Sequence, residues 1–457
     1  MQRRYFIHTF GCQMNESDSQ RMGEVLLRAG WAKAGEAEGA DLVLLNTCAI
    51  REKAEDKLFS ALGRYRLLKA QRGLRIGVAG CVAQQEKEKL FARAPFVDFV
   101  LGPDQLGRVA ELAEKGGLET GWVPSEEYLF PQADPQTSRG RSTAFVTAMK
   151  GCDNVCSFCV VPYTRGREVS RPYAEIVREI SALVAVGIRE VTLIGQNVNS
   201  YAGGCTFASL IRRAGAVPGL LRIRFTTSHP MDLSPELIAC FDQDAGEPKL
   251  MPHFHLPVQH GADTVLERMR RKYTVAEYER RIELLFAARP EIALTSDIIC
   301  GFPGETEAEH TLNLQLLQRV PFDGLFSFLY SPRPHTGAVL KLGEWGEVER
   351  TVALRRLDEV QALQKRRTLA RHQARVGSEV EVLVEHDDQE LRYGRSRENW
   401  PVRFQGDAQV GDLVQVRIEH AALVTLRGTQ ARVVHQAPRS NPPAIAPKAM
   451  RLAVVSA

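Results

Sequence analysis

The 457-residue sequence lacks several features that would narrow its class at once. It contains no apolar run close to the roughly 20 residues that a membrane-spanning helix needs. Its first ten residues are too polar for a secretory signal and predict a β-strand, so we expect a cytoplasmic protein. Its net charge is only +4, so a nucleic-acid partner has to be argued from local patches rather than from overall charge.

Cysteine is present in quantity, with nine residues. The cytoplasm is reducing, which argues against disulfides and leaves metal binding, catalysis or simple burial. The spacing of the cysteines has to decide among these three.

Residues 1–118 alternate short apolar runs with helical patterns, which predicts a doubly wound α/β domain. The expected strands are Tyr5–Phe10, Asp41–Asn46, Arg75–Ala79 and Phe96–Leu101, and the expected helices are Ser17–Ala29, Lys53–Lys69 and Gln84–Ala94. Residues 119–141 are rich in proline and polar residues and are typical of a linker.

Residues 142–375 repeat the alternation six times, too few for a closed eight-stranded barrel, and so predict an open (β/α)6 partial barrel. The expected strands are Thr143–Met149, Glu190–Ile194, Leu221–Thr227, Phe254–Val258, Ala293–Ile299 and Gly324–Tyr330. A long helix, Glu347–Arg375, is expected to follow it. Residues 376–435 change to short β runs separated by turns, among them Glu379–Glu385, Pro401–Phe404, Leu413–Glu419 and Ala422–Thr429, which indicates a small β-barrel. Residues 436–457 are proline-rich and are expected to be disordered.

Three cysteines with close spacing lie just after the first strand of the central region, namely Cys152, Cys156 and Cys159. Three nearby thiolates can hold three irons of a [4Fe–4S] cube and leave the fourth iron open for a substrate. The alternatives are three separate structural cysteines or a zinc site, but zinc prefers four ligands in tetrahedral geometry.

A second trio, Cys12, Cys48 and Cys81, is dispersed in the sequence, but each member follows a predicted strand. The carboxyl ends of parallel strands share one sheet edge, where such folds bind ligands, so a second cluster is favoured over buried structural cysteines. Gly11 and Gly80 would let the backbone approach a bulky group. The ungrouped Cys205, Cys240 and Cys300 are expected to be structural.

At this point the sequence resembles the MiaB-type tRNA methylthiotransferases, which are radical S-adenosylmethionine enzymes. The resemblance rests on the cysteine motif with its aromatic Phe158 and on long strings that run from about residue 5 to about residue 430. These strings are Gly11–Ser19, Asn46–Lys53, Gly80–Gln84, Val160–Arg167, Leu193–Asn199 and Gly301–Thr306. The family has an N-terminal methylthiotransferase domain, a radical domain and an RNA-binding barrel called TRAM.

The resemblance implies two [4Fe–4S] clusters and S-adenosylmethionine as cofactors, and two molecules of S-adenosylmethionine would be consumed, one as methyl donor and one as radical source. Cys152, Cys156 and Cys159 would hold the cluster that binds S-adenosylmethionine and yields a deoxyadenosyl radical. Cys12, Cys48 and Cys81 would hold an auxiliary cluster that carries the sulfur. The implied substrate is carbon 2 of N6-isopentenyladenosine 37 in the anticodon stem-loop of a tRNA. A reducing partner such as flavodoxin or ferredoxin and a sulfur source would be needed, and a monomer is expected.

Other positions are candidates for cofactor contacts. The loop Gly301, Phe302, Pro303, Gly304 and Glu305 follows a barrel strand, and the resemblance places it near the adenosine of S-adenosylmethionine. Gln196 and Asn197 end another strand and are suited to polar contacts. His229 and His255 are candidates to face the base or to be structural, and Asp297 is an inward-facing candidate.

Two basic stretches are candidates for tRNA binding by phosphate neutralisation, with a solvated charged face as the alternative for each. The helix end carries Lys365, Arg366, Arg367, Arg371 and Arg375, and the barrel carries Arg392, Arg395, Arg397 and Arg403. Residues 377–435 contain seven arginines and ten acids, so a basic face is expected rather than a basic domain.

The sequence departs from the family pattern at His335 and Gly337, at His260, and at the string that contains Trp400. These departures put the substrate contacts of the loops in question but spare the six cysteines. Two alternative functions stay open: a sister methylthiotransferase that acts on N6-threonylcarbamoyladenosine or on a ribosomal protein, and a non-catalytic iron–sulfur RNA-binding protein.

Overall fold

The computed structural model describes residues 2–49, 52–388 and 390–437. The expected disordered tail falls almost entirely outside these residues. None of the helices in the described ranges is long and apolar enough to cross a membrane.

The N-terminal region is a six-stranded parallel sheet with the order β2-β1-β3-β4-β5-β6. Val43, Leu45 and Val78 face one buried layer, while Leu42, Leu44 and Phe99 face the other, which is why β3 is a continuous apolar run. Its strands are Arg4–Phe10 (β1), Ala32–Lys33 (β2), Leu42–Thr47 (β3), Arg75–Gly80 (β4), Phe99–Leu101 (β5) and Gly117–Glu119 (β6). Its helices are Gln13–Arg28 (α1), Glu52–Arg72 (α2), Cys81–Glu86 (α3), Lys89–Arg93 (α4) and Val109–Lys115 (α5).

The central region has six main parallel strands in two three-stranded sheets, β11-β10-β7 and β12-β13-β14, joined by a bridge between Ile223 and Leu250. This is the expected open partial barrel. The six strands are Thr143–Thr147 (β7), Glu190–Ile194 (β10), Arg222–Phe225 (β11), His253–His255 (β12), Ala293–Cys300 (β13) and Gly324–Leu329 (β14), and a small hairpin pairs Met149–Lys150 (β8) with Val169–Ser170 (β9).

Helices follow these strands, and the longer ones contribute buried side chains such as Ile180, Ile211 and Leu316 to the core of the central region. The helices are Val161–Arg165 (α6), Tyr173–Ala185 (α7), Phe207–Gly215 (α8), Pro235–Ala239 (α9), Asp263–Arg268 (α10), Val275–Ala288 (α11), Glu307–Arg319 (α12), Gly337–Leu340 (α13), Leu342–Trp345 (α14) and Arg350–Gln373 (α15). Thr274 and Thr306 begin α11 and α12 with capping boxes, which explains the sharp starts of both helices.

The C-terminal region is a closed five-stranded barrel with the order β15-β16-β17-β19-β18. Val382, Phe404 and Val414 are among the residues that fill its core. Its strands are Glu379–Asp388 (β15), Leu391–Ser396 (β16), Pro401–Gln405 (β17), Leu413–Ala421 (β18) and Leu426–His435 (β19).

Several element boundaries differ from those that the sequence predicts, and three of the differences have a local cause. The expected helix Gln84–Ala94 is broken into α3 and α4 at Lys87, which has a φ of +48°. The expected strand Phe254–Val258 ends at His255, two residues before Pro257, which has no amide hydrogen to donate. The expected strand Ala422–Thr429 begins only at Leu426, because Ala422 donates its amide to Thr425 in a turn.

Candidate functional site: two cysteine trios between two domains

Cys12, Cys48 and Cys81 stand together at the carboxyl edge of the N-terminal sheet, as their positions after β1, β3 and β4 predict. A hydrogen bond with Cys48 lowers the pKa of the Cys12 thiol and the charge of Arg165 lowers it further, while burial raises it. Arg165 also donates to the Sγ of Cys81 at 3.3 Å, so each of the three thiols interacts with this guanidinium or with another thiol of the trio at the sheet edge.

Glycine is required beside these cysteines because their loops approach one another closely. A Cβ added to Gly11, whose φ is +147°, would lie 2.7 Å from the Cβ of Cys48. A Cβ added to Gly80, whose φ is +90°, would lie 2.3 Å from the side-chain oxygen of Asn46. The glycines thus serve the packing of loop against loop, a more specific reason than access for a bulky group.

An asparagine pair holds these loops in place. Asn46 donates to the backbone oxygen of Asn15 at 2.8 Å, and Asn15 donates to the side-chain oxygen of Asn46 at 3.2 Å. The amide of Cys12 in turn donates to Asn15 at 3.3 Å. Both asparagines are buried, so these bonds fix the loop after β1 against the end of β3.

Cys152, Cys156 and Cys159 lie in the loop between β8 and α6. Burial and the neighbouring thiol of Cys156 raise the pKa of Cys159 to about 12, so the three thiols of this loop also interact with one another. A bound metal would remove these protons, since coordination deprotonates a thiol.

The loop of this second trio is fixed at both ends. Gly151, with a φ of +74°, donates its amide to the side-chain oxygen of Gln196, and Cys152 donates its amide to the oxygen of Gly166 at 3.2 Å. Ser157, between the cysteines, donates its amide to the oxygen of Met269 at 3.0 Å.

Both trios fit the ligand set of a four-iron cluster better than that of a single ion. A structural zinc site takes four ligands, whereas three cysteines are enough to hold three irons of a cube and leave the fourth iron open.

A buried arginine contacts each trio, and the sequence alone predicts no role for either arginine. Arg165, at the end of α6, donates from Nε to the Sγ of Cys81 at 3.3 Å. Arg271 donates from Nη1 to the Sγ of Cys156 at 3.4 Å. Arg165 lies within the string Val160–Arg167 that carries the family resemblance, which was the only signal of its importance.

The N-terminal domain packs against the carboxyl end of the central strands, so the two trios lie at one interface. Ser17 and Thr147 have their hydroxyls 3.2 Å apart, and the side chain of Thr226 donates to that of Gln13 at 3.0 Å. A buried ion pair joins Arg21 to Glu179 at 2.5 Å. The helix after Cys12 is therefore anchored on the central domain.

In the loop Gly301–Glu305, a candidate for cofactor contact, the side chains of Phe302 and Glu305 turn into the protein. The Glu305 carboxylate is buried and accepts from the amides of Gly301 at 2.5 Å and Phe302 at 3.1 Å. Phe302 is fully buried and packs on Met269 and Ala338. Neither side chain points outward, Pro303 is also buried, and Gly304 donates its amide to the oxygen of Gly346 at 2.9 Å, so contact of this loop with a cofactor stays a prediction.

Three basic side chains surround the Glu305 carboxylate. His260 and His310 each place a ring nitrogen 3.6 Å from it, and Arg356 lies at 3.4 Å. Burial raises the pKa of Glu305, but the imidazoles and Arg356 bring it down to about 2. The departure at His260 therefore belongs to a buried charge cluster beneath the loop.

The two polar candidates after β10 both form hydrogen bonds with other residues of the protein. Gln196 accepts from Gly151, as described above, and Asn197 donates to Asp232 at 2.8 Å. Gln196 thereby positions the loop of the second cysteine trio, and any cofactor contact by either residue stays a prediction.

The histidine candidates differ in their surroundings. Burial and the nearby Arg271 lower the pKa of His229 to about 3, and its Nδ1 accepts from the amide of Met231 at 3.2 Å. His255 lies less buried, with its Nε2 at 3.6 Å from Asp297. His229 is thus a neutral capping residue, while His255 and Asp297 form a pair between the neighbouring strands β12 and β13, and the inward orientation of Asp297 stays a prediction.

The remaining departures have local explanations. His335 has a φ of +65° and lies near the exposed ring of Tyr163, with centroids 6.0 Å apart. Gly337 faces Ser157 of the cysteine loop. Trp400 is buried, and the guanidinium of Arg375 stacks over it at 4.8 Å.

Only some of the predicted RNA-binding arginines are free to bind phosphate. In the helix, Arg367 donates to the oxygens of Val320 and Gln318, and Arg371 pairs with Asp323 at 2.7 Å. Lys365 and Arg366 are exposed.

The four barrel arginines also differ. Arg392 donates to the oxygen of Ala408, and Arg395 lies 3.5 Å from Glu385. Arg397 lines a cavity that also contains Asp242, Asp244 and Glu247. Arg403 makes no hydrogen bond or ion pair within the described residues and stacks over Tyr393 at 5.3 Å.

The barrel register reveals a further arginine that sequence reasoning missed. Arg403 on β17 pairs with Arg427 on β19, and Tyr393 and His420 occupy the flanking positions of the same row. Like charges placed opposite each other in a sheet repel, so an anion on this row would be stabilising. We call Tyr393, Arg403, Arg427 and His420 the barrel row.

Comparison with known proteins gives matches along most of the chain. Residues 4–102 match an uncharacterized protein family, UPF0004, residues 146–315 match the radical SAM superfamily, and residues 373–430 match the TRAM domain. A tRNA-2-methylthio-N(6)-dimethylallyladenosine synthase from Anaeromyxobacter sp. (strain Fw109-5) is 59% identical over 94% of this chain and 95% of its own length. A protein of the same name from Myxococcus xanthus (strain DK1622) is 55% identical over 97% of this chain and 96% of its own.

Among solved structures, the fold is similar to that of a radical S-adenosylmethionine methyltransferase, TsrM, from Kitasatospora setae. The structure with cobalamin and a [4Fe-4S] cluster bound aligns with a TM-score of 0.54 at 16% identity, covering 75% of this chain and 78% of the other. At that identity the likeness shows a shared fold.

Proposed function

The chain belongs to the MiaB-type methylthiotransferase family, and from that premise we propose that it attaches a methylthio group to carbon 2 of N6-isopentenyladenosine 37 of tRNA. The observation that carries this proposal is the presence of two separate cysteine trios at one interdomain face. A radical enzyme that transfers sulfur needs one site to generate the radical and another to carry the sulfur. The two trios would provide both.

The residues have distinct tasks in this scheme. Cys152, Cys156 and Cys159 would hold one [4Fe–4S] cluster, and Cys12, Cys48 and Cys81 would hold the other. When bound, the first cluster with S-adenosylmethionine supplies a radical and the second supplies the sulfur. The protein fixes the first set of ligands through Gly151, Gln196 and Ser157, and the second through the asparagine pair.

The interface between the two domains supports this division. Gln13 follows Cys12 directly and accepts a hydrogen bond from Thr226, just past the end of β11. A base held at the carboxyl end of the central strands would therefore lie between the two trios. Exclusion of water from such a closed interface protects reactive species.

Binding of the anticodon stem-loop is assigned to the barrel, with the barrel row at its centre. Arg403 and Arg427 offer two cations without a carboxylate partner in the described residues, and Tyr393 offers an aromatic surface. Arg392, Arg395 and Arg397 would add weaker contacts, as would the exposed Lys365 and Arg366. Backbone contacts of this kind offset the cost of extruding a stacked base.

The reaction also needs partners. A low-potential electron donor such as flavodoxin or ferredoxin and a source of sulfur are required by its chemistry, and we place it in the cytoplasm as a monomer. Mass spectrometry of tRNA nucleosides from a strain lacking this gene tests the function. We expect loss of the 2-methylthio group with retention of the isopentenyl group. Loss from N6-threonylcarbamoyladenosine instead would support the sister activity.

A further inference from the structure

Each of the two cysteine trios is contacted by one buried arginine. The Nε of Arg165 lies 3.3 Å from the Sγ of Cys81, and the Nη1 of Arg271 lies 3.4 Å from the Sγ of Cys156. Both arginines are only 4% exposed. A guanidinium stays protonated in proteins, so a full positive charge is buried beside each trio.

The two arginines differ in how their charge is balanced. Arg165 forms an ion pair with the buried carboxylate of Asp18 at 2.6 Å. Arg271 donates its other hydrogen bonds to the neutral oxygens of Tyr273 and Pro257, each at 3.0 Å. In the part of the chain that the structure describes, no carboxylate lies within 4.0 Å of Arg271, so the sulfur of Cys156, which loses its proton when it binds a metal, is the group at hydrogen-bonding distance that would balance its charge.

The loop that carries Arg271 has an unusual conformation. Arg270 and Lys272, on either side, have φ values of +56° and +54°, which are unfavourable for residues with a Cβ. Hydrogen bonds from Ser157 to the oxygens of Arg268 at 2.6 Å and Met269 at 3.0 Å attach this loop to the cysteine loop. Such strain persists where the surrounding structure enforces it, and it is concentrated at functional sites.

We propose that Arg271 and Arg165 are positioning residues that give the two clusters different electrostatic environments. Arg271 places an uncompensated positive charge at the Cys156 trio, while Asp18 offsets the charge of Arg165 at the Cys81 trio. The inference rests on the proposed function, in which each trio holds a four-iron cluster.

The expected consequence is a difference in how easily each cluster accepts an electron. Net charge and hydrogen bonds to sulfur set the reduction potential of a cluster, and a nearby cation stabilises the more negative reduced form. Arg271 therefore raises the potential of the cluster that must accept an electron to begin the reaction. Removal of Asp18 would expose the charge of Arg165 and raise the potential of the other cluster.

The test uses full-length protein that holds one cluster at a time. In the Cys12→Ala, Cys48→Ala, Cys81→Ala background, the midpoint potential of the remaining cluster is measured by a redox titration followed by electron paramagnetic resonance, without tRNA or S-adenosylmethionine. Arg271→Gln should shift the midpoint to a more negative value. Lys272→Gln, which removes the same charge from an exposed neighbouring position, should leave it unchanged.

A second arm keeps the test decisive if Arg271→Gln fails to hold iron. In the Cys152→Ala, Cys156→Ala, Cys159→Ala background, Asp18→Asn should shift the midpoint of the remaining cluster to a more positive value. A midpoint that does not move in an iron-loaded Arg271→Gln or Asp18→Asn protein would overturn the inference. Absence of iron from the parent background proteins would instead overturn the proposed function.

Discussion

Thr226 and Gln13 join the two halves of the candidate site through a hydrogen bond of 3.0 Å. Thr226 directly follows strand β11 of the central domain, and Gln13 directly follows Cys12 of the N-terminal domain. Because Gln13 is the first residue of helix α1, this bond fixes the start of that helix against the open end of the partial barrel. The relationship brings the two cysteine trios to one interdomain face, and the first two predictions concern the iron and the tasks assigned to them.

The first prediction concerns the iron content. Anaerobically reconstituted protein should contain about eight irons per chain, as two four-iron clusters. Replacement of Cys152, Cys156 and Cys159 by alanine should leave about four, and replacement of Cys12, Cys48 and Cys81 should do the same. Replacement of the structural Cys205, Cys240 and Cys300 serves as the matched control and should leave all eight. A folded triple variant that kept or lost all of its iron would contradict the assignment of two clusters.

The second prediction concerns the division of labour between the trios. Protein with Cys12, Cys48 and Cys81 changed to alanine should still release deoxyadenosine from S-adenosylmethionine in the presence of a reductant, because the other trio is intact. It should form no methylthio product, because the sulfur-carrying cluster is missing. Liquid chromatography of both products from one reaction measures this. Loss of deoxyadenosine release while about four irons remain bound would rule out independent roles.

The third prediction concerns the pH dependence of stability. His229 has an ordinary pKa near 6.5 when unfolded and a pKa of about 3 in the folded chain, chiefly because of burial. Between pH 6.5 and about pH 3 the unfolded chain binds a proton at His229 that the folded chain does not bind. The free energy of unfolding therefore decreases as the pH falls through this range, and His229 contributes at most about 1.4 kcal/mol of that decrease per pH unit.

His229→Asn isolates this effect, because asparagine can accept the same hydrogen bond from Met231 but cannot be protonated. Thermal melts of wild type and variant at pH 7 and pH 5 provide the comparison. The variant should lose less stability than wild type over this interval. An equal loss in both proteins would show that His229 does not contribute to the pH dependence.

Much of the fold and both cysteine trios could be predicted from the sequence, because both rest on local patterns. The apolar runs of β1, β3 and β4 predict parallel strands, and parallel strands bring Cys12, Cys48 and Cys81 to one edge whatever the details of packing. The trio Cys152, Cys156 and Cys159, in the loop after β8, can be recognised from its spacing in the sequence alone.

The arginines beside the trios could not be predicted in the same way. Arg165 and Cys81 are 84 positions apart, and Arg271 and Cys156 are 115 positions apart. Which side chain enters such a contact depends on how one domain or loop packs against another, and no periodicity encodes it. The inward turn of Glu305 follows likewise from its distant partners His260 and Arg356.

The barrel row shows a limit of a different kind. Arg392, Arg395, Arg397 and Arg403 are close in sequence, which made them candidates, whereas Arg427 stands alone in the sequence and was missed. Strand pairing places Arg427 beside Arg403. In contrast, Arg392 already donates a hydrogen bond to Ala408, and Arg395 already lies beside the carboxylate of Glu385. A basic face in a barrel is created by register, which sequence proximity does not reveal.

The fourth prediction concerns how this row holds tRNA. Arg403→Gln with Arg427→Gln should weaken tRNA binding and reduce the log–log slope of affinity against salt by roughly one unit for each lost phosphate contact. Filter binding across a series of salt concentrations measures both quantities. Deoxyadenosine release without tRNA should be unchanged, because neither arginine touches a cysteine trio.

The matched control for the barrel row is Arg212→Gln with Arg213→Gln in helix α8. These two arginines are exposed, their replacement removes the same net charge, and Arg213 stacks over Tyr173 at 4.4 Å much as Arg403 stacks over Tyr393. If overall charge alone governed tRNA binding, both double variants would weaken it equally. A specific site on the barrel requires a larger loss of affinity and of salt slope in the Arg403 and Arg427 variant. If the control lost as much as that variant, the barrel row would be excluded, and the exposed Lys365 and Arg366 at the end of helix α15 would become the next positions to test.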